Sequence, residues 1–232
     1  MSDQQNRPRP GTPEAKAAIQ DAAIDYTPES EPTEAALIFG EYIAQGRGYA
    51  AALIRDGETL GLLGPRELPK LWTRHILNSA VVAELLQPGQ KVADVGSGAG
   101  LPGIPLAIVC PDVQFVLIEP MERRALWLAS IVEELGLKNV RVIRARAEEV
   151  TENDFDVVTA RAVSALPKLL RITVPLARAG GQVLALKGSK AADEIEASKP
   201  LVKKLKLADF AILSTGEGRL AEPTTVVRTR LV

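Results

Sequence analysis

The sequence has almost none of the side chains that build disulfides and zinc sites. Among its 232 residues there is one cysteine, Cys110, and one histidine, His75. A disulfide needs two cysteines and a structural zinc site normally needs four Cys or His ligands, so the first is excluded and the second is strongly disfavoured. We therefore predict no bound metal. A single thiol also suits a reducing compartment, and we expect a cytoplasmic protein.

Long apolar runs are also lacking. No stretch approaches the roughly 20 apolar residues that cross a bilayer. The first residues are polar and rich in proline, whereas a signal peptide needs an apolar core there. We expect no membrane partner.

A strong excess of charge of one sign is missing too. The chain has 28 basic and 29 acidic residues, which gives a formal net charge of −1. Overall charge therefore does not mark a nucleic-acid binder, and any RNA contact has to come from a local basic face. With 46% hydrophobic residues the chain can bury a substantial core. Aromatic residues are only 4%, and we interpret Trp72 and Trp127 as core residues.

The composition changes along the chain and predicts three regions. Residues 1–30 are polar and proline-rich and predict a disordered tail, with a possible short helix near 14–23. Residues 31–88 show helical spacing of apolar residues, in stretches at about 33–46, 49–57 and 71–86, and predict a helical cap. From residue 89 to 232, strand-like and helix-like stretches alternate and predict a single ligand-binding domain.

The most informative stretch is KVADVGSGAGLPGIPLAIV, from Lys91 to Val109. It is typical of a buried strand at 91–95 that enters a helix through a glycine-rich turn. Glycines let the backbone bend sharply and let a ligand approach the main chain, and the start of a helix offers unpaired N–H groups. The stretch therefore predicts a nucleotide-sized ligand site.

Two residues of this stretch separate possible ligands. Asp94 ends the strand, and a carboxylate there would repel a pyrophosphate but favour an ammonium or sulfonium group. Leu101 stands where the dinucleotide fingerprint has its third glycine. The combination favours S-adenosylmethionine over NAD. The alternative role for Asp94 is to cap the turn.

A second acidic residue supports this interpretation. The apolar run FVLI at 115–118 ends in Glu119, about one strand–helix–strand unit after Asp94. A carboxylate at the tip of the second strand can accept both ribose hydroxyls of an adenosine. NAD enzymes place an acid similarly, so Glu119 does not distinguish the two cofactors, and it could also be a solvated strand end.

The order of elements predicts the fold class. Strands are expected at 91–95, 114–119, 140–143, 155–160 and 181–187, with final strands at 211–213 and 224–231. Helices fit near 102–110, 121–136, 164–178 and 190–205. This alternation predicts an α/β fold with a doubly wound, mostly parallel, Rossmann-like sheet. Ligands of such sheets bind beyond the carboxyl ends of the strands, where Asp94, Glu119, Arg161 and the segment 144–148 fall.

Several motifs resemble one bacterial family. The chain is similar to the small-subunit ribosomal RNA guanine-N7 methyltransferases of the glucose-inhibited division protein B type, over about residues 31–230. The similar motifs are LWTRHILNS (71–79), DVGSGAGLPGIPLA (94–107), RARAEE (144–149), FDVVTARAV (155–163) and LALKG (184–188). Asn78 departs from the family pattern, in which many members have Asp, so any contact made there is neutral in this chain.

The resemblance implies a class I methyltransferase that uses S-adenosylmethionine. It places the methionine half of the cofactor beside Gly96 and Leu101, with Asp94 and Gly98 in the same turn. Glu119 would bind the ribose, while Ala147 and Glu148 would frame the adenine. Arg161 would face the cofactor or the incoming base; its alternative is a surface ion pair worth ~0–1 kcal/mol.

The resemblance also implies the substrate, which is N7 of guanine 527 in the decoding-region loop of 16S rRNA. N7 carries a lone pair and no proton, so no general base is required. We predict that Arg161 or Lys187 holds the guanine through O6 or a neighbouring phosphate. The N7 edge is hidden in A-form RNA, so the target must be looped out or flipped.

The partner is then 16S rRNA or the small ribosomal subunit, bound by a protein expected to be a monomer. Candidate RNA contacts are Arg66, Lys70, Arg74, His75, Arg123, Arg124 and the segment 187–190. Three alternatives remain open. They are a methyltransferase acting on a small molecule or protein, an NAD-dependent oxidoreductase, and a non-catalytic RNA-binding module.

Overall fold

The computed structural model describes residues 26–232. Most of the predicted tail, including the helix proposed near 14–23, lies outside this range. A seven-stranded sheet forms the centre of the described part. Its strands are β1 (Lys91–Val95), β2 (Gln114–Ile118), β3 (Val140–Ile143), β4 (Phe155–Arg161), β5 (Ala177–Lys187), β6 (Leu207–Thr215) and β7 (Thr224–Leu231).

The strand order is β3-β2-β1-β4-β5-β7-β6. Neighbours from β3 to β5 are parallel, and β7 is antiparallel to both β5 and β6. From β1 the chain adds β2 and then β3 on one side of the sheet. It then crosses back to add β4 on the other side of β1, and β5 follows beside β4. The predicted α/β, doubly wound, Rossmann-like sheet is confirmed.

Helices cover the sheet and precede it. The α-helices are α1 (Thr33–Phe39), α2 (Ile43–Asp56), α3 (Gly103–Val109), α4 (Glu122–Glu134), α5 (Leu166–Thr173), α6 (Ala191–Ser198) and α7 (Val202–Leu205). Before β1, a π-helix at Leu71–Leu77 continues as an α-turn at Asn78–Ala80 and a 3₁₀ helix at Val81–Leu85. No helix among residues 26–232 has the length and apolar character of a membrane span.

Each face of the sheet buries its own apolar cluster because strand side chains alternate between faces. On one face, β-strand residues such as Val92 and Leu117 pack with the helices of 33–85 and with α3 and α4. On the other face, neighbours such as Ala93 and Val116 pack with α5 and α6. The cap helices therefore share a continuous core with the sheet. Trp72 and Trp127 lie in that core, as predicted.

The cap departs from the predicted helices at two glycines. A break was expected between residues 46 and 49, but α2 runs through Gly46 and Gly48 without interruption. A Cβ on Gly46 would lie 3.2 Å from the Phe39 ring, and one on Gly48 would lie 2.8 Å from a Leu135 methyl. The glycines therefore allow close packing of α2 instead of ending a helix.

The helix predicted at 164–178 is wrong in its last part. The α-helical part ends at Thr173, and β5 already begins at Ala177, four residues before the predicted strand at 181. Pro175 cannot continue the hydrogen-bonded helix. Ala177 then pairs with Phe155 across a β-bulge. The strand predicted at 211–213 was too short, since β6 spans nine residues, whereas the last strand, predicted at 224–231, is confirmed.

Candidate active site at the carboxyl edge of the sheet

The candidate site lies where the strand order reverses, between β1 and β4. Asp94 of β1 pairs with Thr159 of β4 in parallel register, so the two strands end side by side. Helices leave these strands toward opposite faces, which opens a crevice between their carboxyl ends. The ends of β1, β2 and β4 bring Asp94, Glu119 and Arg161 to this one edge.

The glycine-rich turn after β1 requires its glycines. Gly96, Gly98 and Gly100 have φ values of +69°, +57° and +87°, which side-chain-bearing residues rarely adopt. A Cβ on Gly98 would meet only the Gly96 carbonyl oxygen, at 3.8 Å, so the backbone of Gly98 is approachable. A Cβ on Gly96 would instead lie 2.9 Å from a methyl of Val163. The turn is therefore open at its centre and covered at its first glycine.

Asp94 is fully buried beneath the turn. Its Oδ2 accepts a hydrogen bond from the backbone N–H of Gly103 at 3.1 Å, at the start of α3. Its Oδ1 is buried without a hydrogen-bond partner in the described structure. Burial is the main cause that raises the pKa of Asp94 to about 7, against a partial lowering by Ser97 and the Gly103 N–H. The capping role is thus the one visible in the structure, and contact with a cofactor stays a prediction.

Glu119 is also buried, and both of its oxygens accept backbone hydrogen bonds. Oε2 accepts from the N–H of Gly98 at 2.8 Å, and Oε1 accepts from the N–H of Met121 at 2.9 Å. The side chain therefore fixes the glycine turn against the end of β2 and is no solvated strand end. Each carboxylate oxygen has a second lone pair, so the predicted ribose contact remains compatible with these bonds.

The predicted adenine residues follow β3. Ala147 begins a 3₁₀ turn, Ala147–Glu149, and is buried, while Glu148 is exposed. The N–H of Arg146 donates to Glu149 Oε2 at 3.0 Å, which closes the turn. An apolar residue beside an exposed carboxylate is compatible with a flat purine and its ribose. Leu101, expected near the methionine half, is buried at the end of the glycine turn.

Arg161 connects the end of β4 to the cap. Its Nη1 donates to the His75 carbonyl and to Ser79 Oγ, both at 3.0 Å. Its Nη2 donates to the Arg74 carbonyl at 3.0 Å and lies 2.8 Å from His75 Nδ1. The guanidinium is therefore surrounded by groups of the π-helix and the turn after it, and it is not a surface ion pair.

The ring of His75 is held on both sides. Arg161 donates to Nδ1, so Nε2 carries the proton and donates to Glu67 Oε2 at 2.8 Å. Burial and then the charge of Arg161 lower the pKa of His75, whereas Glu67 raises it. His75 is neutral near pH 7 and is buried, so the structure argues against the predicted RNA contact of this side chain.

The ammonium of Lys187 is likewise engaged. It donates to the Ser164 carbonyl and to Glu194 Oε2, both at 2.8 Å, and the side chain is 10% exposed. Its predicted contact with the guanine would require both bonds to break. The structure brings Lys187 to the same edge as Arg161 but points its charge toward α6.

Sequence reasoning missed several residues that complete the site. Tyr49 of α2 is fully buried, and its hydroxyl donates to the Ala99 carbonyl in the glycine turn at 2.7 Å. Ser79 and Glu67 complete the surroundings of Arg161 and His75. Tyr49 and Ser79 lie in apolar helical patterns that indicated only packing, and Glu67 lies in a turn-rich segment. The sequence offered one signal for such residues, a polar side chain at a position expected to be buried, because buried polar atoms need a hydrogen-bond partner.

The basic candidates for RNA contact lie in different environments. Arg66, Lys70 and Arg123 are exposed and form no ion pair within the described part of the chain. Arg124 donates to the Gly61 carbonyl at 2.6 Å and is structural. Arg74 lies 3.6 Å from Glu67. The first three, together with the exposed Lys190, are therefore the cations among these candidates that have no ion pair in the described part of the chain.

Two cavities of about 300 Å³ lie elsewhere, at the edge where the strands begin. Both are bordered by Gln114, Lys138 and Asn139. They are far from the strand ends that carry the polar residues. We give more weight to the carboxyl edge, because ligands of doubly wound sheets bind there and because the buried polar groups are concentrated there.

The residues at the carboxyl edge fit S-adenosylmethionine. The unpartnered Oδ1 of Asp94 and the carboxylate of Glu119 place acceptor oxygens at the turn, which suit a cationic ligand. The open backbone at Gly98 permits close approach.

Comparison with known proteins decides the family. The family model for rRNA small subunit methyltransferase G matches residues 43–221. The chain belongs to this family. A relative of that name from Clavibacter michiganensis subsp. michiganensis is 52% identical over 204 residues, covering 88% of this chain and 96% of the relative. One from Leifsonia xyli subsp. xyli is 53% identical over 201 residues, covering 86% and 96%.

Solved structures support the fold. Methyltransferase from Pyrococcus furiosus aligns with a TM-score of 0.55 at 16% identity, covering 67% of this chain and 81% of the other. M. jannaschii TYW2, solved in complex with AdoMet, aligns with a TM-score of 0.54 at 22% identity, covering 69% and 76%. The predicted S-adenosylmethionine cofactor is confirmed at the level of methyltransferase family and fold.

Family membership also narrows the alternatives left by the sequence. It selects a methyltransferase over an NAD-dependent oxidoreductase. It selects ribosomal RNA of the small subunit as the substrate class over a small molecule or a protein. The individual site residues are not identified by these comparisons.

Proposed function

We propose that this protein transfers a methyl group from S-adenosylmethionine to N7 of guanine 527 in the decoding-region loop of 16S rRNA. The bound cofactor supplies a methyl group on a sulfonium. One bond forms, between the methyl carbon and N7, and one breaks, between that carbon and sulfur. The bonding pair remains on sulfur, and the second product is S-adenosylhomocysteine.

The observation that carries the N7 assignment is that the buried titratable groups at the site are either engaged or shut off from solvent. Asp94 is completely buried beneath the turn with one oxygen bonded to the Gly103 N–H, Glu119 holds two backbone N–H groups, and His75 is bonded at both ring nitrogens. None of these described groups is free to remove a proton from a nucleophile. Guanine N7 has no proton to lose, so it is the methyl acceptor that suits such a site.

The residues of this chain then act by binding and orientation. Gly96, Gly98 and Leu101 border the methionine half, and Asp94 lies below it. Glu119 binds the ribose, while Ala147 and Glu148 lie beside the adenine. Orientation at about 3 Å between reacting atoms supplies much of the acceleration in reactions of this type.

Arg161 is the proposed catalytic residue that links the end of β4 to the cap. It stands at the end of β4 with its guanidinium toward the cap. If the exposed cations Arg66, Lys70 and Arg123 bind phosphates, the RNA enters on this side of the molecule. We propose that it orders this entrance and faces the incoming base. Cations that bind phosphates make the affinity for RNA strongly dependent on salt concentration.

The deciding experiment uses labelled S-adenosylmethionine with 30S subunits or 16S rRNA from cells that lack their own copy of the enzyme. Mass spectrometry then maps the labelled nucleotide. We expect a single 7-methylguanosine at position 527. Label at another nucleotide or on another atom would overturn the N7 assignment, and label on protein alone would restore the small-molecule or protein alternative.

A matched pair of variants tests the site. Glu119→Ala removes the buried carboxylate, and Glu122→Ala removes an exposed one three positions later whose partner is Arg144. We expect loss of cofactor binding and transfer only in the first variant. Equal transfer by both would show that Glu119 does not take part in the site.

A further inference from the structure

The loop after β4 has an unusual backbone and places an apolar side chain on the glycine turn. Ala162 has φ +56°, and within residues 26–232 only one other non-glycine residue, Lys206, has a positive φ. Such a conformation persists only where the surroundings enforce it. Directly after it, Val163 covers Gly96, since a Cβ on Gly96 would lie 2.9 Å from its methyl. Val163 is nevertheless 38% exposed.

Two sets of polar bonds hold this loop, one at each end. At its start, the guanidinium of Arg161 is fixed to the cap by the bonds described above. At its other end, Glu194 Oε2 accepts from the backbone N–H of Leu166 at 2.6 Å. The same oxygen accepts from Lys187 Nζ, which also donates to the Ser164 carbonyl. We name the Lys187–Glu194 pair with these two backbone bonds the loop clamp.

The loop clamp is well placed to act as one unit. The Lys187 side chain is 10% exposed and that of Glu194 is 25% exposed, so solvent competes little for the ammonium. Burial raises the pKa of Glu194, whereas the hydrogen bonds from Lys187 and the Leu166 N–H lower it. The lowering effects together are larger, so the pKa of Glu194 is below its usual value. The Glu194 carboxylate remains charged near neutral pH. Each member bonds a different backbone group of one loop, Lys187 the Ser164 carbonyl and Glu194 the Leu166 N–H.

We propose that Val163 is a positioning residue for methyl transfer and that the loop clamp holds it against the glycine turn. This inference rests on the proposed function. Gly96 borders the reacting end of the cofactor, so an apolar side chain fixed above it limits where that end can lie. Lys187 then acts through the loop and not by touching the guanine. A displacement of about 1 Å at such a place can cost two orders of magnitude in rate.

A double-mutant cycle separates the two roles of Lys187. We compare Lys187→Met, Glu194→Gln and the double variant, measuring kcat, KM for 30S subunits and Kd for S-adenosylhomocysteine. We expect each single change to lower kcat by roughly tenfold with little change in KM, and the double variant to fall no further, because both residues hold one loop. If Lys187 bound a phosphate or the base, its loss would raise KM or lower kcat while Glu194→Gln stayed near wild type.

An exposed ion pair between the last turn of α6 and the residue that follows it is the control. Lys199 and Glu196 pair at 2.6 Å, with side chains 61% and 66% exposed. Lys199→Met and Glu196→Gln change charge as the clamp variants do but touch no residue of the β4 loop. We expect wild-type kcat from both. A tenfold fall in these variants would show that the effect comes from the charge of α6 and not from the clamp.

Hydrogen exchange tests the clamp without any enzymatic activity. In Glu194→Gln and Lys187→Met we expect faster amide exchange in peptides that cover residues 162–168, with unchanged exchange in α4. Unchanged exchange in the loop would overturn the clamp even if the enzyme is active. Conversely, faster exchange together with an inactive wild-type enzyme would reject the proposed function and leave the clamp established.

Substitutions at Val163 test the apolar contact itself. Val163→Ala removes the two methyl groups that cover Gly96, and we expect kcat to fall roughly tenfold. Val163→Thr keeps the branched shape, and we expect most of the activity to return. Wild-type kcat in Val163→Ala, or equal loss in both variants with unchanged melting temperature, would overturn the proposal.

A stability measurement tests the same contact independently of catalysis. Gly96→Ala places its Cβ 2.9 Å from Val163, whereas Gly89→Ala has a similar positive φ of +80° but meets no atom within 4 Å. We expect Gly96→Ala to lower the melting temperature more than Gly89→Ala does. Adding Val163→Ala should recover part of that difference, and no recovery would show that the two residues do not pack in solution.

Discussion

The two edges of the sheet use charged residues in opposite ways. At the carboxyl edge, Asp94, Glu119 and Arg161 bond mainly to backbone groups, and both carboxylates are buried. At the amino edge, Lys91 pairs with Glu152 and Asp154, each at 2.6 Å, among partly or fully exposed side chains.

The effect of a charged side chain on the fold depends on whether its partner is a backbone group or another side chain. A backbone group cannot move away, so a charge bonded to it fixes the course of the chain. Two flexible side chains in solvent gain little from each other and can exchange partners. The carboxyl edge is therefore fixed mainly by bonds to backbone where a ligand must be oriented. At the amino edge one such bond, from the Lys91 N–H to Asp156 Oδ2 at 2.7 Å, stands among ion pairs that are open to solvent.

The largest effect is expected at Arg161. Arg161→Met leaves two carbonyls, Ser79 Oγ and His75 Nδ1 without their donor, and we expect a loss of about 3 kcal/mol in unfolding free energy. Transfer activity should fall with it, measured at a temperature where the variant is folded. Arg178→Met at the opposite edge, where the side chain is half exposed and pairs with Asp156, is the control. A similar loss in both variants would contradict the comparison.

A somewhat smaller effect is expected at Glu119. Glu119→Ala removes the acceptor of two backbone N–H groups, and the cost should be about 2 kcal/mol in unfolding free energy by urea denaturation. Glu122→Ala, which removes an exposed carboxylate, should cost less than about 1 kcal/mol. Equal costs would mean that the bonds to Gly98 and Met121 do not persist in solution.

A pH effect is expected from Asp94. Its pKa is raised from 3.8 to about 7 in the fold, chiefly by burial. Between those values the folded protein binds more protons at this group than the unfolded chain, so its contribution to stability falls as pH rises. The unfolding free energy of wild type relative to Asp94→Asn should drop by more than about 1 kcal/mol from pH 5 to pH 8. A difference independent of pH would place Asp94 in a more solvated state.

The smallest effect is expected at the amino edge. Glu152→Gln weakens pairs with Lys91 and Arg141 that are open to solvent, and we expect a loss below about 1 kcal/mol that shrinks further in high salt. Denaturation at low and high ionic strength measures it. A large loss of unfolding free energy that does not depend on salt would contradict the difference between the two edges, because it would show that ion pairs at the amino edge also fix the fold.

Sequence patterns predicted the glycine side of the site well, because that side is local. The run from 91 to 109 contains the strand, the turn and the start of α3, and all three glycines have a positive φ, in agreement with the predicted sharp bend. Glu119 was also predictable from the end of an apolar run. In both places the signal and the structure lie within a few residues of one another.

The cap side could not be predicted in the same way, because it depends on distant pairs. Arg161 meets the carbonyl of His75 across 86 positions, and Tyr49 meets that of Ala99 across 50. A carbonyl acceptor leaves no mark in the sequence, since every residue has one. The direction of the Lys187 side chain was unpredictable for the same reason, because its partners are a carbonyl and a residue of the next helix.

The bonds of Arg161 also bear on the order in which the protein forms during synthesis. During translation, His75 is added to the chain 86 residues before Arg161. The carbonyls of Arg74 and His75 therefore leave the ribosome long before the guanidinium that donates to them. The nascent cap has to keep these groups in water until residue 161 is available. We therefore expect ribosome-bound chains that end before β4 to show a protease-sensitive cap, and chains that extend through β5 to protect it.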